Sequence, residues 1–317
     1  MENPNIIQYI SVVVPVYNEE GCLQELIDRT IRALDSTGKK YEFILVDDGS
    51  RDASGTLLRD YQKERPDVVR IIDFNGNFGQ HTAIIAGFER AKGDVVVTLD
   101  ADLQNPPEEI GKLIKKIDEG YDVVGAYRKT REDSFFRKYA SKLVNFARDK
   151  MTNIRMKDQG CMLRAYKKNV VDGIIHTNER SLFIPALAYT LASNPTEVEV
   201  EHSERLSGES KYNLYRLIRL NFDLITGFTL MPLQVFTIGG FLASLGSLAL
   251  VMVLLFRRFF LGSEAEGVFT LFAILFFLVS VAIVGIGLIG EYVGRIYQVV
   301  QARPKYIIKD TVGFDGK

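Results

Sequence analysis

Asp100-Ala101-Asp102, extended by Leu103-Gln104, follows directly on the apolar run Val95–Leu99. Two carboxylates two positions apart at a strand end can hold one hard divalent cation, which takes oxygen ligands from protein, water and phosphate together. Magnesium or manganese at Asp100 and Asp102 would bridge a nucleotide diphosphate and stabilise its charge as it departs. An Asp-X-Asp alone is weak, because chance copies are common. Its place after a buried strand, followed by Gln104-Asn105-Pro106-Pro107-Glu108, makes it strong.

Other segments offer complementary groups. Asp47-Asp48-Gly49-Ser50 is a second acidic turn, and a carboxylate there can accept from a base N–H or a ribose hydroxyl; the plainer reading is turn chemistry, which favours these residues anyway. In Pro15-Val16-Tyr17-Asn18-Glu19, Tyr17 can stack on a base and Glu19 can accept its N–H, unless Tyr17 is core and Glu19 a helix-start acid. Arg128, Arg131, Arg137 and Lys138 suit a phosphate acceptor, since guanidinium groups clamp phosphate through paired donors. Arg205 and Lys211 flank small residues in a loop that can close over a diphosphate. Asp158 could steer an acceptor, contact a sugar, act as a base or merely cap a turn. His81, His176 and His202 show no ligand spacing and are read as non-catalytic.

These residues need a scaffold. The spacing predicts strands at Ile10–Val16, Phe43–Val46, Val69–Phe74, Val95–Leu99 and Tyr121–Ala126, with helices near 19–36, 52–64, 79–91 and 107–119. The last helix has Asn105 as a possible cap, Pro106 and Pro107 in its first turn, acids at its positive end and Gly120 at its stop. A further helix is expected over 134–151 and mixed structure over 161–202. Alternating strands and helices imply an α/β fold with a mostly parallel sheet covered on both faces. Ligands of such sheets bind beyond strand carboxyl ends, where both acidic turns fall.

The chain has 317 residues and a net charge of −1, which argues against a nucleic-acid partner because phosphate-backbone binding needs a basic excess. Its two cysteines, Cys22 and Cys161, lack zinc spacing and read as reduced thiols. Residues 212–228 form a cationic amphipathic pattern suited to a membrane interface. Thr229–Phe256 and Val268–Gly290 each reach the ~20 residues needed to cross a bilayer. The expected organisation is a catalytic domain over 1–211, an interfacial helix over 212–228, a transmembrane hairpin over 229–293 and a tail over 294–317. The start of the chain lacks a signal-peptide pattern, so the first domain and the tail are expected in the cytoplasm, with the hairpin in the inner (plasma) membrane. Small residues along both spans, including Gly239, Gly240, Gly246, Gly285, Gly287 and Gly290, would permit homo-oligomers.

VVVPVYNEE, ILVDDGS, LDADLQNPPE and RLSGESKY, in this order, resemble glycosyltransferase family 2, and within it the polyprenyl-phosphate glycosyltransferases. The resemblance covers nearly the whole chain. It is narrowest toward members that move 4-deoxy-4-formamido-L-arabinose, through NFGQHTAIIAGF, DQGCMLRAY and GEYVGRIY. It implies a GT-A domain for nucleotide-diphospho-sugars. Pro15, Tyr17, Glu19 and Asp48 would hold base and ribose, and Asp100 and Ala101 would line the donor site. Asp102 and Gln104 would bind the metal beside Asp100. Arg128, Arg137 and Ser141 would meet the acceptor phosphate, and Arg205 and Lys211 the diphosphate. One departure is Gly76, where close relatives carry arginine, so a cation near the base pocket is missing.

A phosphate monoester is mostly dianionic at neutral pH and needs no general base. The expected reaction is therefore an inverting displacement from a UDP-sugar, such as UDP-4-deoxy-4-formamido-L-arabinose, to undecaprenyl phosphate. Lipid A modification would follow from that donor. Glucose, mannose or another sugar would serve a different glycan. A non-catalytic binding protein for lipid phosphate or nucleotide sugar is the reading from another class. A processive synthase is disfavoured by having only two spans and no Trp.

Overall fold

The computed structural model describes residues 7–128, 156–158, 160–177, 183–201, 226, 230–261, 268–301 and 303–314. The chain forms two compact units, one comprising Met1–Leu143, Ile154–Tyr212 and Arg303–Lys317, the other Val144–Asn153 and Asn213–Ala302. The expected helix over 134–151 lies outside the described residues, as does the expected interfacial helix over 212–228 apart from Thr226.

The first unit is built on one mixed sheet. Its strands are β1 (Tyr9–Val16), β2 (Lys40–Asp47), β3 (Val69–Phe74), β4 (Val95–Thr98), β5 (Val123–Arg128), β6 (Arg164–Lys167), β7 (Pro195–Val200) and β8 (Ile308–Val312). Their order across the sheet is β7-β5-β6-β4-β1-β2-β3-β8. β1 pairs in parallel with β2 and β4, and β2 with β3. β6 enters antiparallel between β4 and β5, while β7 runs parallel to β5. Ile10–Val16 is buried at every position, as a central parallel strand covered on both faces must be. Pro15 fits there because the β1–β4 ladder stops at Val13 and Thr98, so no pairing with β4 calls on its missing N–H.

Helices α1 (Leu23–Asp35), α2 (Ser54–Glu64), α3 (Gln80–Phe88) and α4 (Ile110–Asp118) accompany the first five strands. α1 buries Leu23, Leu26, Ile27, Thr30 and Leu34, the i, i+3, i+4 stripe of an amphipathic helix. α4 does the same through Ile110, Leu113, Ile114 and Ile117, after a 3-10 turn at Pro107–Glu109. Asn105 does not cap that turn. It is buried, and its side-chain oxygen accepts from the Cys161 thiol at 3.3 Å. The mixed region expected over 161–202 resolves into β6, α5 (Lys168–His176), α6 (Ile184–Leu191) and β7.

The tail expected over 294–317 takes a different form. Residues up to Val300 continue a helix, and Ile308–Val312 becomes an edge strand antiparallel to β3. Its alternation is too short to signal a strand in isolation; pairing with β3 supplies the backbone partners that define it.

The second unit contains α7 (Met231–Leu261) and α8 (Val268–Val300). At 31 and 33 residues they run to about 46 and 50 Å, longer than the ~30 Å hydrocarbon core of a bilayer. Both are long and apolar enough to cross a membrane. Exposed Phe241, Leu248, Met252, Phe276, Ile283 and Ile286 form surface that water would penalise. Gly285 is where the two helices meet, since a Cβ there would stand 2.1 Å from the Phe236 ring. A Cβ at Gly239, Gly240, Gly246, Gly287 or Gly290 would meet open space.

Candidate active site

β1 and β2 end side by side, and their following loops are stitched together. Asn18, with a positive φ of 55°, donates its backbone N–H to Ser50 Oγ at 3.1 Å and accepts from the Arg51 N–H at 2.8 Å. The Glu19 N–H donates to Ser54 Oγ at 3.0 Å. Tyr17 is left 41% exposed, free to present its ring to a planar ligand. Pro15 is buried beneath it.

Asp48 is buried, and its two carboxylate oxygens accept the N–H groups of Phe78 and Gly79 at 2.6 and 2.8 Å. Burial pushes its carboxyl above the usual range, the two N–H bonds pull it back, and the Asp47 charge pushes it up again. Gly49, at φ 72°, is pressed against the Gly76 backbone, where an added Cβ would lie 2.6 Å from a carbonyl carbon. Gly76 itself has open space around its own Cβ position. The arginine expected from the resemblance is therefore missing for no steric reason at Cβ.

The loop after β4 sorts its residues by alternation. Ala101, Leu103 and Asn105 are buried, whereas Asp100, Asp102 and Gln104 stay partly open. Leu103 holds a positive φ of 57°, and the Gln104 N–H donates to Asp102 Oδ1 at 3.2 Å, which folds the loop on itself. From behind, the Cys22 thiol donates to the Ala101 carbonyl at 3.1 Å. Burial and neighbouring Glu19 push that thiol up to about 12, so it stays protonated and donating. The Ala101 side chain is itself buried.

Asp100 carries an electrostatic imbalance. Desolvation first, then the Asp102 charge, pushes its carboxyl up to about 7; a 2.6 Å bond from Gln80 Nε2 and the Arg128 charge offset only part of this, and Glu19 adds to it. Among the described residues, no three carboxylate, imidazole or thiolate groups converge on one point. An all-protein metal cage is therefore absent there. Two partly open carboxylates two positions apart fit instead a cation that takes its remaining oxygens from water and diphosphate.

Arg128, at the end of β5, and Asp158 come together. Arg128 Nε and Nη2 donate to the two Asp158 oxygens at 2.6 and 3.0 Å, a bidentate pair that raises the Arg128 pKa. Behind it lies Arg164, fully buried, donating to the Asp158 carbonyl at 2.7 Å and the Cys161 carbonyl at 3.0 Å. Gly125 makes room for it, since a Cβ there would lie 2.7 Å from Arg164 Nη1. Arg131, Arg137, Lys138, Ser141, Arg205 and Lys211 lie outside the described residues.

Sequence reasoning passed over Gln80 and Arg164, and read Cys22 only as a reduced thiol and Asn105 only as a cap. Gln80 sits in the NFGQH segment opening α3, a position that could have marked it; a wholly buried arginine has no such signal. His81 is not a charged group here, because burial pushes it down to about 4, and its ring packs edge-on to Phe183 at 5.5 Å.

Parallel strands ending in acidic turns define the class, and the match makes it specific: residues 11–175 fit the glycosyl transferase family 2 profile, and the chain belongs to that family. It is 50% identical over 314 residues to an undecaprenyl-phosphate 4-deoxy-4-formamido-L-arabinose transferase of Edwardsiella ictaluri (strain 93-146), covering 98% of this chain and 97% of that protein. A protein of the same name from Shewanella sediminis (strain HAW-EB3) is 50% identical over 313 residues, covering 98% and 94%. Among solved structures, glucosyl-3-phosphoglycerate synthase from Mycobacterium tuberculosis in complex with phosphoglyceric acid is similar at 17% identity and a TM-score of 0.49, covering 70% of this chain and 79% of that one.

Proposed function

We propose that this glycosyltransferase moves 4-deoxy-4-formamido-L-arabinose from its UDP-linked donor to undecaprenyl phosphate, at the cytoplasmic face of the inner membrane. The observation that carries this reading is 50% identity to relatives of that name over 98% of the chain, including both long apolar helices.

Pro15, Tyr17, Glu19 and Asp48 hold the nucleoside at the joined ends of β1 and β2. Asp102 and Gln104, with Asp100 beside them, would hold magnesium or manganese, which would supply positive charge for the diphosphate leaving group. Arg205 and Lys211 hold that diphosphate. Arg128, Arg131, Arg137 and Ser141 receive the acceptor phosphate. Asp158 aims the Arg128 guanidinium through its bidentate bond, which leaves one Arg128 nitrogen, Nη1, outside that pair. The acceptor, largely dianionic at neutral pH, attacks the anomeric carbon in line without surrendering a proton, so configuration inverts. Residues 1–211 together with the returning 303–317 form the catalytic domain, 212–228 lie at the interface and 229–293 form the transmembrane hairpin. The open Gly239, Gly240, Gly246, Gly287 and Gly290 support self-association of the hairpins.

The test is a glycolipid assay on the purified full chain, with undecaprenyl phosphate and a panel of UDP-sugars. Product is expected with the formamido-arabinose donor and little with glucose or N-acetylglucosamine. Product from another sugar alone would reassign the donor, and donor binding with no product from any sugar would reduce the chain to a binding protein.

A further inference from the structure

The chain does not leave the first unit behind at α8. After residues 301–305 it returns to the nucleotide side of the sheet and fastens there. β8 pairs antiparallel with β3, and Arg59 bonds both Asp73 and Asp310, the latter at 3.2 Å. Gly313, at φ 82°, packs so closely that a Cβ would lie 2.7 Å from the Val69 carbonyl oxygen. Phe314 receives the Arg90 guanidinium at 5.9 Å from its ring centre.

More telling is what happens where the β3–β8 ladder breaks, between Asp73 and Phe74. Tyr306 lays its ring flat on Phe74, with centroids 4.9 Å apart and planes at 17°. Its hydroxyl bonds Glu89 just past α3, and stays protonated because burial and Glu89 push it up to about 12. The Ile307 carbonyl accepts the Asn75 N–H at 3.1 Å. Phe74 in turn meets Phe78 edge-on at 5.6 Å, and Phe78 and Gly79 give their N–H groups to Asp48. The intervening Gly76 is the backbone against which Gly49 is pressed. One unbroken series of contacts therefore runs from Tyr306, through the 74–79 loop, to the carboxylate of Asp48.

We infer that Tyr306 and the Ile307 carbonyl are positioning groups for the nucleoside pocket: they fix the 74–79 loop, and through it the orientation of Asp48. This rests on the nucleoside role of Asp48 proposed above. A stretch of chain that follows the last apolar helix thus completes a pocket whose other parts come from the first 80 residues. The loop needs such a brace. It contains Asn75-Gly76-Asn77 and, at Gly79, a φ of 93°, so little within it resists rearrangement. An aromatic stack adds attraction beyond the area it buries, which biases a loop toward one of two arrangements.

The test uses the full chain in detergent with UDP titration and steady-state kinetics. Tyr306→Ala is expected to weaken UDP binding and raise the donor KM by about 5- to 20-fold, with kcat and the undecaprenyl phosphate KM changed less than about 2-fold. Tyr306→Phe keeps the stack and should restore the donor KM to within about 2-fold of the parent. If Tyr306→Ala accumulates poorly, Tyr306→Leu keeps apolar bulk without the flat stack and is read the same way. Asp48→Ala serves as the reference. If it raises the donor KM and the Tyr306 variants do not, the positioning role is overturned while the pocket stands. If Asp48→Ala itself leaves UDP binding unchanged, the nucleoside role of Asp48 falls, and the inference falls with it. A uniform loss of kcat and of both KM values in Tyr306→Ala, unrestored by Tyr306→Phe, would mark Tyr306 as structural only.

Discussion

Two acidic turns close neighbouring parts of this sheet; burial raises the carboxyls of Asp47, Asp48 and Asp100 alike, and the turns differ in what surrounds the charge. After β2, Asp47 accepts the Ser50 N–H at 2.8 Å and Asp48 accepts two more backbone N–H groups. After β4, Asp100 has a donor in Gln80 but faces Asp102 and Glu19, and its carboxyl rises to about 7. Both turns follow apolar strands and look alike in sequence. The first turn's carboxylates accept backbone N–H groups, the arrangement behind the nucleoside role proposed for Asp48. The second sets Asp100 beside the charges of Asp102 and Glu19, the arrangement behind the divalent-cation role proposed for this turn.

The contrast can be broken in order of expected effect. Asp102→Ala should abolish transfer, with a loss of about a thousandfold or more in kcat, while UDP titrated without metal binds as before. Substantial activity in excess chelator would end the metal assignment for the second turn. Gly49→Ala should destabilise the first turn by about 2–4 kcal/mol, since it combines a positive φ with a clash against Gly76 backbone; thermal unfolding measures it. Asp48→Ala should act on donor KM by about 10- to 30-fold and spare kcat, the reverse of the Asp102 pattern. If both variants lose kcat alone, the division between the turns is wrong.

The smallest effect concerns Asp100 without metal. Its folded-state pKa is raised, so folding favours the protonated form, and the penalty grows as pH rises from the ordinary carboxylate range to about 7. Asp100→Asn removes that penalty. In chelator, the variant should gain about 2–5 °C in Tm over the parent at pH 8 and less at pH 5. An equal gain at both pH values would show that the carboxylate is not strained.

Much of this was legible beforehand, and particular residues show why. Val69–Phe74 was readable to the residue, because Val69, Ile71, Ile72 and Phe74 concentrate β-branched and aromatic side chains in a short segment. Asp100 and Asp102 were readable as a pair, because their spacing at a strand end is itself the chemical signal. Asp158 and Arg128 were each suspected, but not as partners, because nothing in a separation of 30 positions encodes contact. Asn105 looked like a cap and is instead a buried acceptor for Cys161, because capping propensity is local and burial is not.

The sequence by itself determined the strand-and-helix alternation, the two long apolar helices and the residue types of the acidic turns, since each depends on neighbours a few positions away. Tertiary structure alone decided which groups surround each acid. It decided that Arg164 lies beneath the Arg128–Asp158 pair and that Tyr306 braces a loop more than 200 positions earlier in the chain. Field strength and burial are properties of atoms brought together by the fold, and two acidic turns that each follow an apolar strand acquire different surroundings from the groups the sheet delivers to them.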